Sequence, residues 1–136
     1  DFDYSKYSKS DLRKLVQAMK QTMKDADGIG LSANQVGLDL NFFVAEVNGK
    51  FYAIFNPKIE KQSSETEETE EGCLSVPATY GIVRRAEKVT INAFDINGKK
   101  IKIKAWGLLA RVFQHETDHL NGKLFIDKAK NVQKVI

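Results

Sequence analysis

Both histidines of the chain lie in one pentapeptide, His115-Glu116-Thr117-Asp118-His119. Two histidines four apart on a helix project from one face and can grip a single metal ion. Glu116 falls about 100° round that helix from His115, where a carboxylate reaches a water at the metal without being a ligand itself. The chemistry this layout supports is metal-assisted hydrolysis. A surface helix that carries two histidines by accident is the bland alternative, and two further segments weigh against it.

A tetrahedral catalytic centre takes three protein ligands and keeps one position open, so the histidine pair needs a partner. Cys73, in Glu71-Gly72-Cys73-Leu74-Ser75, is the only thiol in the chain. A lone cysteine is more often an inert buried hydrophobe, and aspartate or glutamate completes many zinc sites, so on the residues alone both kinds of third ligand stay open. One cysteine excludes an intrachain disulfide and suits a reducing compartment. The third segment is Gly28-Ile29-Gly30-Leu31-Ser32-Ala33-Asn34-Gln35-Val36-Gly37. Its glycines let the backbone turn tightly or approach a ligand, and Gln35 brings a neutral amide donor. A dinucleotide loop is a poor reading, because no strand precedes the Gly-x-Gly and the third glycine is misplaced.

The elements that must position these residues follow from patterning. Ser10 is a candidate N-cap for a helix whose Leu12, Leu15, Val16, Met19, Met23 and Ala26 recur at helical spacing; its methionines read as core filling. Asn48-Gly49 between Phe42–Val47 and Phe51–Phe55 is a hairpin signal, and Asn97-Gly98 between Val89–Phe94 and Ile101–Ala105 is a second. The lysines alternating with Ile101, Ile103 and Ala105 predict a solvated sheet face. Glu65 to Glu71 carries five glutamates in seven residues and reads as a solvated loop, Glu71 excepted. A helix is predicted from Gly107 to Asn121, ended by Gly122, with Leu108, Val112, His115 and His119 on one stripe and Leu109, Phe113 and Leu120 on the side that packs against a sheet. The expected class is α+β: a mostly antiparallel sheet packed around a central metal-binding helix. With 136 residues and 42% hydrophobic content, a single domain spanning 1–136 is expected. The net charge of +3 is mild, and no basic stripe interleaved with aromatics is evident, so no direct nucleic-acid site is expected. No apolar run is long enough to cross a membrane, and no secretory signal is present.

Taken together, the three segments resemble the peptide deformylase family. Its pattern is Gly-x-Gly-Leu-Ala-Ala-x-Gln, then Glu-Gly-Cys-Leu-Ser, then Gln-His-Glu-x-Asp-His-Leu, and it matches Gly28 to Gln35, Glu71 to Ser75 and Gln114 to Leu120, with Ser32 where the family usually has alanine. The resemblance implies a metallohydrolase that removes the N-formyl group from the formylmethionine of newly made polypeptides. It implies Cys73, His115 and His119 as ligands of one divalent ion per chain, Fe(II) natively, although one thiolate and two imidazoles also suit zinc, nickel or cobalt. Glu116 is the implied base, and Gln35 with the Leu74 backbone N–H the implied donors to the carbonyl oxygen. Ile29, Gly30, Gly72, Leu108 and Val112 are the implied substrate contacts, and Glu71 paired with Arg85 the implied brace for the metal strand. Arg111 stands where some relatives are apolar and is either exposed or at the pocket edge.

The same resemblance suggests a short form lacking the usual N-terminal strand and the C-terminal helix that follows the Leu124-Phe125 region. Its partners are formylmethionyl nascent chains, with ribosome contact open, and the chain is expected to be a cytoplasmic monomer of bacterial or virus-infected cells, or else a processed organelle enzyme. Two rivals are a general zinc endopeptidase, with Asp127 as the downstream ligand, and a peptide- or metal-binding relative that has lost catalysis. The second would be expected to lack Glu116, Gln35 or a ligand, and all five are present.

Overall fold

The computed structural model describes residues 1–73, 76–122 and 130–134, with the side chains of 69, 72–81 and 130–134 outside the description. The first helix, α1 (Lys9–Asp25), starts two residues earlier than the sequence suggests. Ser8, in extended conformation, accepts from the Asp11 N–H at 3.0 Å, which places Ser10 inside the first turn. Leu12, Val16, Met19 and Met23 are buried, whereas Ala26 caps the C-terminus and is exposed, because the stripe has rotated past the core by then.

Five antiparallel strands form the main sheet: β1 (Gly30–Ser32), β2 (Phe42–Val47), β3 (Lys50–Gln62), and, after the second sheet's first two strands, β6 (Lys88–Phe94) and β7 (Lys100–Trp106), in the order β1-β2-β3-β6-β7. Both hairpins predicted from Asn-Gly pairs are present. Asn48 and Gly49 have φ of 54° and 78°, as a mirror-image two-residue turn requires. At the second hairpin, Asp95 instead organises a longer loop, its side chain accepting from the N–H groups of Asn97 and Lys99.

Strand alternation divides the core in two. Phe42, Val44, Phe55 and Leu31 meet α1 on one face. Phe43, Ala45, Ile54, Val89 and Ile91 face the second helix, α2 (Gly107–Leu120), where they meet Ala110, Val112 and Phe113. On β7, Ile101, Ile103 and Ala105 pack toward α2, and Lys100, Lys102 and Lys104 are exposed as expected. Trp106 follows that outward alternation; it pairs with Lys88 across the sheet, is 69% exposed and is the N-cap residue of α2.

The acidic segment is not a loop. Thr66–Cys73 is β4, paired with β5 (Val76–Ala86) and, through it, with β8 (Lys130–Lys134) in a second antiparallel sheet. Glutamate is a poor strand former alone, but here Glu67 and Glu68 stand opposite Arg85 and Arg84, and Arg84 donates to both Glu68 and Thr66. Cross-strand charge pairing overrides the local propensity. None of the helices among the described residues is long and apolar enough to cross a membrane.

Candidate metal centre

Helix α2 lies between the two sheets' contributions and carries the histidines. Gly107, at φ 62°, opens it, and Gly122, at φ 78°, stands beyond its Asn121 C-cap. Its rotation is pinned by Gln114. The carboxamide accepts from the Ala86 N–H at 3.0 Å and donates to the Ala86 and Ala110 carbonyls at 2.8 and 2.9 Å. The amide therefore acts as a missing strand partner for the end of β5 and turns the 115/119 face toward β4.

There, the Nε2 atoms of His115 and His119 approach to 3.1 Å. Two imidazole nitrogens bound to one tetrahedral ion at about 2.0–2.1 Å stand roughly 3.3 Å apart, so the pair already has the separation that a shared divalent ion requires. Glu71 Oε1 lies 2.7 Å from His115 Nδ1. A carboxylate there takes the Nδ1–H and leaves the Nε2 lone pair for a metal, the usual carboxylate–histidine arrangement. Burial raises the Glu71 pKa, but hydrogen bonds from His115 and Arg85 and the Arg85 charge outweigh it, and the carboxyl is held down at about 2. Arg85, only 2% exposed, forks onto both Glu71 oxygens at 3.0 Å and also grips Asp118 on α2. Burial alone would lower its pKa; the two carboxylates raise it, so the guanidinium stays charged. Arg85 is therefore a buried, paired residue and not an ordinary surface arginine.

Residues 30–35 close the other side. Glu116 is 3% exposed, and a Cβ built on Gly30 would come within 2.6 Å of its Oε2 and 3.0 Å of Val112 Cγ1, so glycine lets β1 pass this close without displacing Glu116. Asn34 Nδ2 donates to the His119 carbonyl at 2.6 Å, the Ser32 N–H donates to Gln35 Oε1 at 2.8 Å, and the Ser32 hydroxyl lies between Gln35 Oε1 and Asn34 Oδ1 at 2.8 and 2.7 Å. Ile29 and Leu108 are 45% and 41% exposed, large apolar side chains left in solvent close to Gly30 and Val112 in sequence. Arg111 is mostly covered and reaches Glu67 at 3.6 Å, so it neither floats free nor joins the histidines.

Of the residues singled out from sequence, the structure thus brings together His115, His119, Glu116, Glu71, Arg85, Gly30 and Val112. Gly72 and Cys73 end β4 beyond Glu71; their side chains, and Leu74 altogether, lie outside the described residues, as do Leu124, Phe125 and Asp127. Among the described residues no third donor joins the histidine pair. Sequence reasoning gave no role to Ser32, Asn34, Gln114 or Asp118, although all four sit inside the three motif segments. Polar residues at fixed offsets from the histidines and from Gln35 are the available signal.

A profile of the polypeptide deformylase family matches residues 2–135. The chain belongs to that family. It is 46% identical over 126 residues to peptide deformylase 2 of Gloeobacter violaceus, covering 89% of this chain and 67% of the relative. Against the peptide deformylase of Symbiobacterium thermophilum it is 46% identical over 127 residues, 91% of this chain and 58% of the relative, so it spans less than two thirds of that protein's length. The crystal structure of the Thermotoga maritima peptide deformylase superposes with a TM-score of 0.86 at 40% identity, covering 89% of this chain and 82% of that one. The expected family and its α+β fold are borne out, and the family is one of metal-dependent hydrolases.

Proposed function

We propose that this chain hydrolyses the N-formyl group of formylmethionyl peptides, using a divalent ion held by Cys73, His115 and His119. The single observation that carries the reading is the pair of Nε2 atoms 3.1 Å apart beside buried Glu116, in a chain of this family. The ion, when bound, supplies Lewis acidity that lowers the pKa of a water and polarises a carbonyl. Fe(II) is the proposed working ion, with zinc, nickel and cobalt able to occupy the same donors.

Glu116 removes a proton from the attacking water and delivers it to the departing amine nitrogen. The formyl carbon keeps the water's oxygen, the C–N bond breaks, and the products are formate and a free amino terminus. Gln35 Nε2–H and the Leu74 backbone N–H donate to the formyl oxygen as negative charge grows there. Closeness of the 30–35 segment to Glu116 and His119 supports the Gln35 half of this assignment; the Leu74 half rests on the family motif. The methionine side chain lies against Ile29, Leu108 and Val112, and the peptide runs extended beside Gly30 and Gly72 as an added strand. Nascent chains in the cytoplasm are the proposed substrates.

The test is formate release from formyl-Met-Ala-Ser by anaerobically prepared protein loaded with Fe(II) or Ni(II), alongside Glu116→Ala. Rapid release that the variant abolishes is expected. Absence of release from protein carrying one metal per chain would sink the proposal.

A further inference from the structure

Ser32 is a fully buried hydroxyl at the end of β1, and the chemistry assigned above makes no use of it. Its surroundings are specific. The backbone N–H of this residue donates to Gln35 Oε1 at 2.8 Å, and its hydroxyl lies within hydrogen-bond distance of the same oxygen, also at 2.8 Å. The same hydroxyl stands 2.7 Å from Asn34 Oδ1, and Asn34 in turn donates through Nδ2 to the carbonyl of His119 at 2.6 Å. A continuous polar chain therefore runs from a histidine of the metal helix, through Asn34 and Ser32, to the Gln35 carboxamide.

A carboxamide has its acceptor on one branch and its two donors on the other. When the backbone N–H holds Oε1 and the hydroxyl shares its one proton between Oε1 and Asn34 Oδ1, the NH2 edge faces away from Ser32, and rotation about the soft terminal torsion is restricted. With alanine at position 32, the backbone N–H bond to Oε1 remains and the hydroxyl's share of that hold is lost, which loosens the carboxamide. The hydroxyl has a single proton and two acceptors, so it also ties the Gln35 orientation to the position of Asn34, and hence to the His119 carbonyl.

We infer that Ser32 is a positioning residue for the reaction: its hydroxyl presets the Gln35 carboxamide so that the Nε2–H donors are aimed at the reacting carbonyl before substrate arrives. This rests on the reading that Gln35 donates to the substrate oxygen. Preorganised donors stabilise developing charge without reorganisation during the step, which is where a fixed amide gains over a mobile one.

The experiment is a double-mutant cycle on metal-loaded protein with formyl-Met-Ala-Ser: wild type, Ser32→Ala, Gln35→Leu, and both together. Expected are a fall in kcat of about three- to tenfold for Ser32→Ala with KM and metal content unchanged, a larger fall for Gln35→Leu, and no further fall when Ser32→Ala is added to Gln35→Leu. In the metal-free protein, 15N relaxation of the Gln35 side-chain amide, assigned by its loss in Gln35→Leu, should show lower order in Ser32→Ala. An equal loss of kcat from Ser32→Ala in both backgrounds would overturn the inference, as would no loss in either, or an amide whose order does not change. If Gln35→Leu alone leaves kcat intact, the assignment of Gln35 itself has failed, and that result is distinct from the others.

Discussion

At the scale of single residues, the site is governed by close approach and by charge that is buried and fully answered. Gly30 shows the first. The nearest atom to a new methyl, Glu116 Oε2 at 2.6 Å, is the far end of a flexible side chain rather than backbone, so Gly30→Ala is expected to fold. What it displaces is the proposed base, and misplacing a reacting group by about 1 Å can cost on the order of a hundredfold. The variant should therefore lose more than about tenfold in kcat with a nearly unchanged unfolding midpoint, measured by steady-state kinetics beside thermal melts. Full activity would mean that Glu116 has slack. Arg85 and Glu71 show the second: neither is legible as buried from sequence, because an arginine and a glutamate in a charged stretch ordinarily stay in water. Arg85 stands opposite Glu67 in the β4–β5 ladder, yet its guanidinium reaches Glu71 and, on α2, Asp118, contacts that no local pattern in the sequence announces.

At the scale of elements, α2 is legible almost in full, since its apolar stripe, its opening and closing glycines and its histidines all obey one period. Strand β4 is not. Its pairing with β5 depends on arginines well downstream, and no local pattern in Glu65–Glu71 announces a strand. The dock between the two regions rests on Gln114 and Ala86. Gln114→Leu keeps the volume but leaves the Ala86 N–H and carbonyl facing an apolar side chain, and unpaired buried groups cost about 1–3 kcal/mol each. Unfolding free energy should fall by about 2–4 kcal/mol in denaturant titrations with an unaltered slope. A change below about half a kcal/mol would show that the dock is held elsewhere.

Across the whole molecule, the amino-terminal segment closes the α1 side of the sheet: Phe2 stacks among Tyr4, Tyr7, Phe42 and Phe55, and the Tyr4 hydroxyl donates to the Asp95 carbonyl at 2.7 Å. Burial, then the nearby Asp95 charge, pushes the Tyr4 pKa up to about 12 from 10.0. A phenol whose folded pKa is raised contributes stability that is whole below pH 10 and is lost as pH rises from 10 toward 12, where the unfolded chain ionises and the folded one does not. Stability of the wild type should decline across that window, and Tyr4→Phe should flatten the decline; parallel curves would place the alkaline transition in another group.

Trp106 has an optical consequence. It is the only tryptophan, and at 69% exposure its indole already sits largely in water in the native state. Emission excited at the indole band should begin red-shifted and quench readily with iodide, and it should move little on denaturation, so that a fluorescence melt would all but miss a transition plain in circular dichroism. A blue-shifted native spectrum would instead mean that something in solution covers the start of α2.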